Sequence, residues 1–293
     1  MRNFGRILTA MVTPFNDDGS VNYSEAVKLA QYLVNNGSDG IVVAGSTGEA
    51  ATLTNDEKVK LYATVLEAVG DRATIIAGTG SNVTRDSIEL TKVAERIGVH
   101  GAMVVAPYYN KPPQEGFYQH FKAIADSTTL PLIVYNVPGR TSSNILPDTI
   151  ARLAEIKNIV AVKEASGSLD QISEIIRITP SDFLVYSGDD VLTLPILAVG
   201  GNGVISVAAH IVGTRMQEMV TAFYDKDMAK AQALHLELLP FFRVIFVTTN
   251  PIPIKDAVNL IGIKAGPVRL PLIAPTVGET AQLKKVMQSL GVL

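Results

Sequence analysis

Residues 73–106, ATIIAGTGSNVTRDSIELTKVAERIGVHGAMVVA, hold one complete structural unit, and its reading decides the fold. The run Ala73 to Ala77 is short, apolar and β-branched, and Ala102 to Ala106 is its counterpart. Between them Thr84 to Gly98 places apolar residues at Ile88, Leu90, Val93, Ala94 and Ile97, a helical pattern with Gly98 at its stop. Neither apolar run alternates with polar residues, so each strand is expected to be covered on both faces, as in a parallel sheet. A strand, a crossover helix and a second parallel strand make a βαβ unit.

The unit recurs along most of the chain. Further apolar runs are Ile7 to Val12, Gly40 to Ala44, Leu132 to Tyr135, Ile159 to Val162, Leu184 to Tyr186 and Val204 to Val207. A second helical segment opens on Asn55-Asp56-Glu57 and has Gly70 past its end, while Pro131, Pro147 and Pro180 fall at boundaries. About eight strands, each followed by a helix, within roughly 225 residues match a (β/α)8 TIM barrel. A doubly wound sheet is the competitor, but no G-x-G-x-x-G turn follows the first strand; Gly78-Thr79-Gly80 comes closest, and Val83 stands where its third glycine belongs. From Asp225 the strand runs stop, and Met228 to Val247, Pro253 to Ile261 and Thr280 to Leu290 read as helices, with Pro251 and Pro253 bracketing a turn. The expected architecture is therefore α/β: a (β/α)8 catalytic barrel over residues 1–224 and a small C-terminal helical domain over residues 225–293.

Composition narrows the chemistry. A chain of 293 residues with 47% hydrophobic residues can bury a full core. It has no cysteine, which excludes disulfide scaffolds, thiolate zinc sites, iron–sulfur clusters and cysteine nucleophiles, and gives no reason to posit secretion; a cytoplasmic protein is expected. Lys and Arg number 25 against 28 Asp and Glu, so no basic excess is available to neutralise a nucleic-acid backbone. The basic start, Met1 to Arg6, is followed by too short an apolar stretch for a signal peptide. Val191 to Gly213 carries no charged residue and is long enough to span a bilayer, but Pro195 and Gly200-Gly201-Asn202-Gly203 split it into a buried helix and a buried strand. The expected partner is a small molecule or another copy of the chain.

In a barrel of this type the chemistry lies at the C-terminal ends of the strands. Lys163 directly follows Ile159 to Val162, and alternation puts it on the face of Ile159 and Ala161, in a dry interior. Burial favours the neutral amine, the form that attacks a carbonyl to make a Schiff base. Pairing with Glu164 or snorkelling to the rim is the structural alternative. After the second strand, Gly45-Ser46-Thr47-Gly48-Glu49 offers hydroxyls and amides to a carboxylate, or is an ordinary turn. Pro107-Tyr108-Tyr109-Asn110-Lys111-Pro112-Pro113 follows the fourth strand, and Tyr135-Asn136-Val137-Pro138-Gly139-Arg140-Thr141 closes the fifth. There Pro138-Gly139 suits the centre of a type II turn that would fold Arg140 toward the site. A lysine, tyrosines, small hydroxyls and an arginine suit a keto acid.

Gly45 to Glu49, Tyr135 to Thr141 and Val162-Lys163-Glu164-Ala165, in this order and spacing, resemble the pyruvate-dependent class I aldolases of the N-acetylneuraminate lyase superfamily, and within it the dihydrodipicolinate synthase family. The resemblance spans nearly the whole chain. It implies a lyase of lysine (diaminopimelate) biosynthesis in which Lys163 forms an imine with pyruvate, the enamine attacks L-aspartate 4-semialdehyde, and cyclisation gives 4-hydroxy-tetrahydrodipicolinate, with no cofactor and no metal. Tyr135 would exchange the proton beside the imine; Ser46 and Tyr109 would complete a hydroxyl relay, with Tyr109 reaching in from a neighbouring subunit of a homo-oligomer, at least a dimer and commonly a tetramer. Thr47 would hold the pyruvate carboxylate and Arg140 that of the semialdehyde. Gly188 and Ile205 would line the pocket through backbone groups.

Two departures stand out. Ser46 replaces the family's usual threonine and keeps the hydroxyl. The positions of the family's lysine-binding regulatory pocket are Ala50, Ala51, Asn55, Lys58, Asn82, Asp86 and Tyr108; Asn82 and Tyr108 match lysine-sensitive members, whereas Asn55 and Lys58 stand where those carry histidines and Asp86 where they carry glutamate. Weak or absent feedback is expected, because Lys58 repels a cationic ligand. A sister sugar-acid aldolase is the alternative, disfavoured by Arg140, and a non-catalytic keto-acid binder has no use for a lysine beside a tyrosine. His100, His120, His210 and His235 share no metal-ligand spacing and read as structural, and no G-x-x-x-x-G-K-[ST] loop is present.

Overall fold

Each of the eight apolar runs is a strand in the computed structural model, which describes residues 4–293; Met1 to Asn3, where the basic N-terminal stretch begins, lie outside the described residues. The strands are β1 (Ile7–Ala10), β2 (Gly40–Val43), β3 (Thr74–Gly78), β4 (Gly101–Val105), β5 (Leu132–Asn136), β6 (Ile159–Glu164), β7 (Leu184–Ser187) and β8 (Gly203–Ser206). They form a closed barrel in the order β1 to β8, the TIM-barrel topology expected from the repeat. Between them run α1 (Tyr23–Asn35), α2 (Asn55–Val69), α3 (Thr84–Ile97), α4 (Gln114–Asp126), the single turn α5 (Pro138–Thr141), α6 (Pro147–Ala154), α7 (Leu169–Ile178) and α8 (Thr193–Ala198). After β8 come α9 (Ala209–Tyr224), α10 (Met228–Val244), α11 (Ile252–Leu260) and α12 (Val277–Ser289).

The chain divides into two compact units. One comprises residues 76–205; the other comprises residues 4–75 with 206–293, so α10 to α12 belong to the same unit as β1 and β2. In the first unit β3 to β8 pair in parallel, with Ile76 opposite Gly101, Ala102 opposite Leu132 and Tyr186 opposite Gly203. In the second, β1 pairs with β2 through Leu8 opposite Gly40 and Ala10 opposite Val42.

Strand residues on opposite faces, such as Ile7 and Leu8, Ile41 and Val42, or Ile133 and Val134, are all buried. That explains the unbroken apolar runs: one face meets the barrel interior and the other the helices. Fully burying each Leu, Ile or Val is worth roughly 1.5–3 kcal/mol relative to exposure, and these runs share the core with buried helix residues such as Tyr62, Phe117, Phe121, Phe241 and Phe242. Helix ends follow local chemistry. Thr54 and Glu57 form a capping box on α2, Thr276 and Glu279 form another on α12, and Gly98 ends α3 in the left-handed region at φ +90°.

The uncharged stretch Val191 to Gly213 resolves into most of a 3-10 turn (Asp190–Leu192), α8, β8 and the start of α9. No helix of the described residues is long and apolar enough to cross a membrane. The turn before β8 requires its glycines: Gly200 has φ +106°, and a Cβ on Gly201 would lie 2.3 Å from the Ile196 Cγ2.

Candidate active site

Within residues 76–205, the strand ladder places Lys163. Strand β6 does not stop at Val162 but pairs on through Lys163 and Glu164, which face Tyr135 and Asn136 on β5 and Tyr186 and Ser187 on β7. Because side chains alternate, Lys163 shares a face with Ala161 and is 4% exposed, with its Nζ 4.3 Å from the centre of the Tyr135 ring; the register shift between Leu132 and Ile133 takes Ile159 out of that alternation, contrary to expectation. Lys163 therefore does not snorkel. Nor does it pair with its neighbour in sequence: Glu164 turns to the opposite face, where its carboxylate accepts from Asn136 Nδ2 (3.1 and 3.0 Å), the Ser166 amide (2.8 Å) and Gln171 Nε2 (3.4 Å).

Burial lowers the Lys163 pKa to about 7; the carboxylate of Asp190 opposes the shift and the Arg140 guanidinium adds to it. Near neutral pH the amine is thus substantially unprotonated, the state a carbonyl attack requires. Buried Asp190 opens the 3-10 turn after β7, and buried Tyr186 is the β7 register neighbour of Lys163. Neither was singled out in the sequence, although Gly188-Asp189-Asp190 is a polar strand end of the kind that marked the other candidates. Gly188 donates its amide to the Glu164 carbonyl at 2.8 Å, and a Cβ there would lie 2.6 Å from that of Ala165. Ile205 is buried on β8.

Arg140 is exposed on α5. The expected type II turn is replaced by this helical turn, with Pro138 at its first position and Ser142 left-handed at its end (φ 55°). The fixed φ of proline fits a helix start as well as a type II corner, and the Thr141 hydroxyl donates to the Val137 carbonyl at 3.2 Å, closing the helical alternative. After β4, Tyr109 stands 88% exposed at φ 72°, Tyr108 is also exposed, and Asn110 Nδ2 donates to the Asn82 carbonyl at 2.9 Å. Asp86 on α3 is engaged by Arg85 at 3.0 Å.

Within the second unit, the turn after β2 is held from several directions. The Thr13 hydroxyl donates to the Gly48 carbonyl at 2.6 Å, and the amides of Glu49 and Ala50 donate to the carbonyls of Ser46 (3.1 Å) and Gly45 (3.2 Å). Ser46 is half-buried and Thr47 is buried. Asn250 Nδ2 donates to the Thr47 Oγ1 at 2.9 Å, which leaves the hydroxyl proton of Thr47 to point at another acceptor. Glu49, in the left-handed region at φ 57°, pairs with Lys255 Nζ at 2.8 Å and accepts from the Arg269 amide at 2.8 Å. Lys255 lies 3.9 Å from the centre of the Phe15 ring, and burial lowers its pKa to about 8 against the pull of Glu49. These C-terminal supports lie 200 residues or more along the chain from the turn they hold, so no local pattern announces them. On α2, Asn55 is exposed and Lys58 half-buried, with its pKa lowered by desolvation; Ala50 is half-buried and Ala51 exposed.

Two of the histidines, His210 and His120, have structural partners. His210 accepts from the Val12 amide at 3.0 Å through Nε2 while Nδ1 faces the Val207 carbonyl at 2.8 Å, and His120 Nδ1 meets the Thr84 hydroxyl at 2.9 Å. No group of three or more His, Asp or Glu side chains among the described residues is arranged to hold a metal ion.

Comparison with known proteins shows the family. The family model described as "Dihydrodipicolinate synthetase family" matches residues 3–290. A 4-hydroxy-tetrahydrodipicolinate synthase from Moorella thermoacetica is 58% identical over 290 residues, covering 99% of each chain. Among solved structures, a dihydrodipicolinate synthase from Bacillus anthracis superposes with TM-score 0.97 at 52% identity, and one from Cyanidioschyzon merolae with lysine bound superposes with TM-score 0.98 at 48% identity, each covering 99% of both chains. A full-length match to the family model, with relatives this similar over the same span, establishes that the chain belongs to the dihydrodipicolinate synthetase family.

Proposed function

We propose that the chain is a 4-hydroxy-tetrahydrodipicolinate synthase, condensing pyruvate with L-aspartate 4-semialdehyde in the lysine (diaminopimelate) pathway of the cytoplasm. The observation that carries this reading is a buried lysine with a pKa of about 7, placed in register with a buried tyrosine. The Lys163 amine adds to the pyruvate carbonyl and water leaves, giving an imine. Loss of a methyl proton, taken up through Tyr135, converts it to the enamine. The enamine carbon attacks the aldehyde, forming the new carbon–carbon bond and restoring the imine, while the aldehyde oxygen takes the proton back through Tyr135 and becomes a hydroxyl. The amino group of the second substrate then adds to the imine carbon and expels Lys163 as the free amine.

Ser46 and Tyr109 complete the proton relay in this reading, with Tyr109 supplied by a second copy, for which its 88% exposure leaves it available. Thr47 donates to the pyruvate carboxylate, Arg140 grips the carboxylate of the semialdehyde, and the backbone at Gly188 and Ile205 lines the pocket. Residues 1–224 supply the barrel, and residues 225–293 supply Asn250 and Lys255, which steady the turn carrying Ser46 and Thr47.

Borohydride reduction in the presence of pyruvate, followed by mass mapping, tests the chemistry: a pyruvate adduct on Lys163 is expected, and its absence would falsify the Schiff-base step. Turnover of pyruvate with the semialdehyde, and not with sugar aldehydes, is expected for the substrate class; the reverse preference makes the chain a sugar-acid aldolase. Sedimentation is expected to show a dimer or tetramer, and an active monomer removes Tyr109 from the relay.

A further inference from the structure

The segment that carries Arg140 is closed at its base by side chains facing away from Lys163 and Tyr135. Asn136, next in sequence to Tyr135, accepts the Ile145 amide on its Oδ1 at 3.0 Å and donates through Nδ2 to the Asn144 Oδ1 at 2.8 Å, so it joins the two ends of residues 136–145. The same Nδ2 donates to Glu164, next in sequence to Lys163 and 1% exposed. Asn144 exchanges two bonds with Gln171 on α7, giving Nδ2 to its Oε1 at 2.7 Å and taking its Nε2 at 3.1 Å. From α4, Gln114 donates to the Asn144 carbonyl at 2.8 Å and accepts the Leu146 amide at 3.0 Å.

A loop can be closed by apolar packing at no electrostatic cost. Here a carboxylate is buried instead, where burial raises the pKa of Glu164 and its hydrogen-bond donors hold it down. A network of this kind tolerates one geometry, because a shift of any member leaves a buried group unpaired. It is built on the residues adjoining Lys163 and Tyr135, and its other end is the base of the Arg140 segment.

Resting on the function proposed above, we infer that Asn136, Glu164, Asn144 and Gln171 are positioning residues that fix Arg140 relative to Lys163 and thereby set affinity for the carboxylate of the second, aldehyde substrate. Pyruvate binding and imine formation meet that distance only through the effect of the Arg140 guanidinium on the Lys163 amine, which ranks behind burial and Asp190.

Steady-state kinetics of Asn144→Ala and Gln171→Ala test the inference, alongside borohydride trapping of pyruvate. Each variant removes the exchange from one side. Both are expected to raise KM for L-aspartate 4-semialdehyde about tenfold, the effect of losing about one net hydrogen bond, while KM for pyruvate and the trapping rate change less than about twofold. In an Arg140→Ala background, either change is expected to add less than about twofold, because the group being positioned is gone. Equal effects on both substrates, or full additivity with Arg140→Ala, overturn the positioning role while wild-type trapping on Lys163 leaves the Schiff-base reading intact. Failure of the wild type to trap pyruvate overturns both.

Discussion

Tyr135 and Lys163 are register partners on adjacent parallel strands, and the Lys163 Nζ lies 4.3 Å from the centre of the tyrosine ring. Backbone pairing across β5 and β6 holds the two at fixed separation, so amine and phenol are organised before any substrate arrives. Such preorganisation is what converts a proton transfer into an efficient step.

The pH profile reports this environment. With the Lys163 pKa lowered to about 7, kcat/KM for pyruvate is expected to fall about tenfold per pH unit below that value and to level off above it, since only the neutral amine attacks. A rate still climbing toward pH 10 would show an ordinary lysine. Tyr135→Phe, which keeps the ring over the amine and removes the hydroxyl, is expected to lower kcat by roughly 10²–10⁴-fold.

The role proposed for Arg140 predicts effects on both substrates by different routes. Arg140→Ala is expected to raise KM for the semialdehyde by roughly 10–100-fold, the value of a charged hydrogen-bonded grip, with Arg140→Lys recovering only part of it. Its guanidinium also lowers the Lys163 pKa, so the same substitution moves the midpoint of the pyruvate pH profile upward. A profile that stays put or moves down contradicts that electrostatic link.

The barrel was legible because its strands are covered on both faces, which leaves runs such as Ile159 to Val162 unbroken by polar residues. Their ends were less so: β6 continues through Lys163 and Glu164, because backbone pairing persists after the side chains turn polar. Pro138-Gly139 read as a type II corner since proline φ serves both that turn and a helix start, and only Thr141 and Ser142 decide between them. Lys163, Tyr135, Thr47 and Arg140 stood out in the sequence as candidates at or just after strand ends. Asn250, Lys255 and Arg269 were not, because they reach the Thr47 turn through tertiary packing that leaves no periodic trace.

The buried pair beneath that turn has its own signature. Lys255 and Glu49 are 2% and 1% exposed, so Lys255→Met strands a buried carboxylate and is expected to cost roughly 3–5 kcal/mol of stability by urea denaturation. Adding Glu49→Gln removes the stranded charge and is expected to recover a large part of the loss. A double variant as unstable as the sum of the two single variants would mean that the pair contributes through packing alone.

Two buried histidines make the fold sensitive to acid. Burial lowers the pKa of both His210 and His120 from 6.5 to about 4, so between those values the unfolded chain binds protons that the folded chain does not. Stability is full above about pH 6.5 and is lost as pH falls toward 4, by up to about 3 kcal/mol for each histidine. Urea midpoints measured across this range should therefore decline less steeply for His120→Phe than for the wild type. Parallel declines would show that the carboxylates alone set the acid limit.

Lysine feedback is expected to be weak, and the charges around the relevant positions give the reason. Lys58 lies in the first turn of α2, where its charge adds to the positive end of the helix dipole, and its half-buried side chain cannot retreat fully into solvent. On α3, the Asp86 carboxylate already holds Arg85 at 3.0 Å, which diminishes its attraction for an incoming ammonium group. Both effects oppose a cationic ligand. Steady-state assays are expected to show no inhibition at micromolar lysine, and Lys58→His with Asn55→His is expected to increase sensitivity by removing the fixed charge at neutral pH. Micromolar inhibition of the unmodified chain would mean that these groups rearrange to accept the ligand.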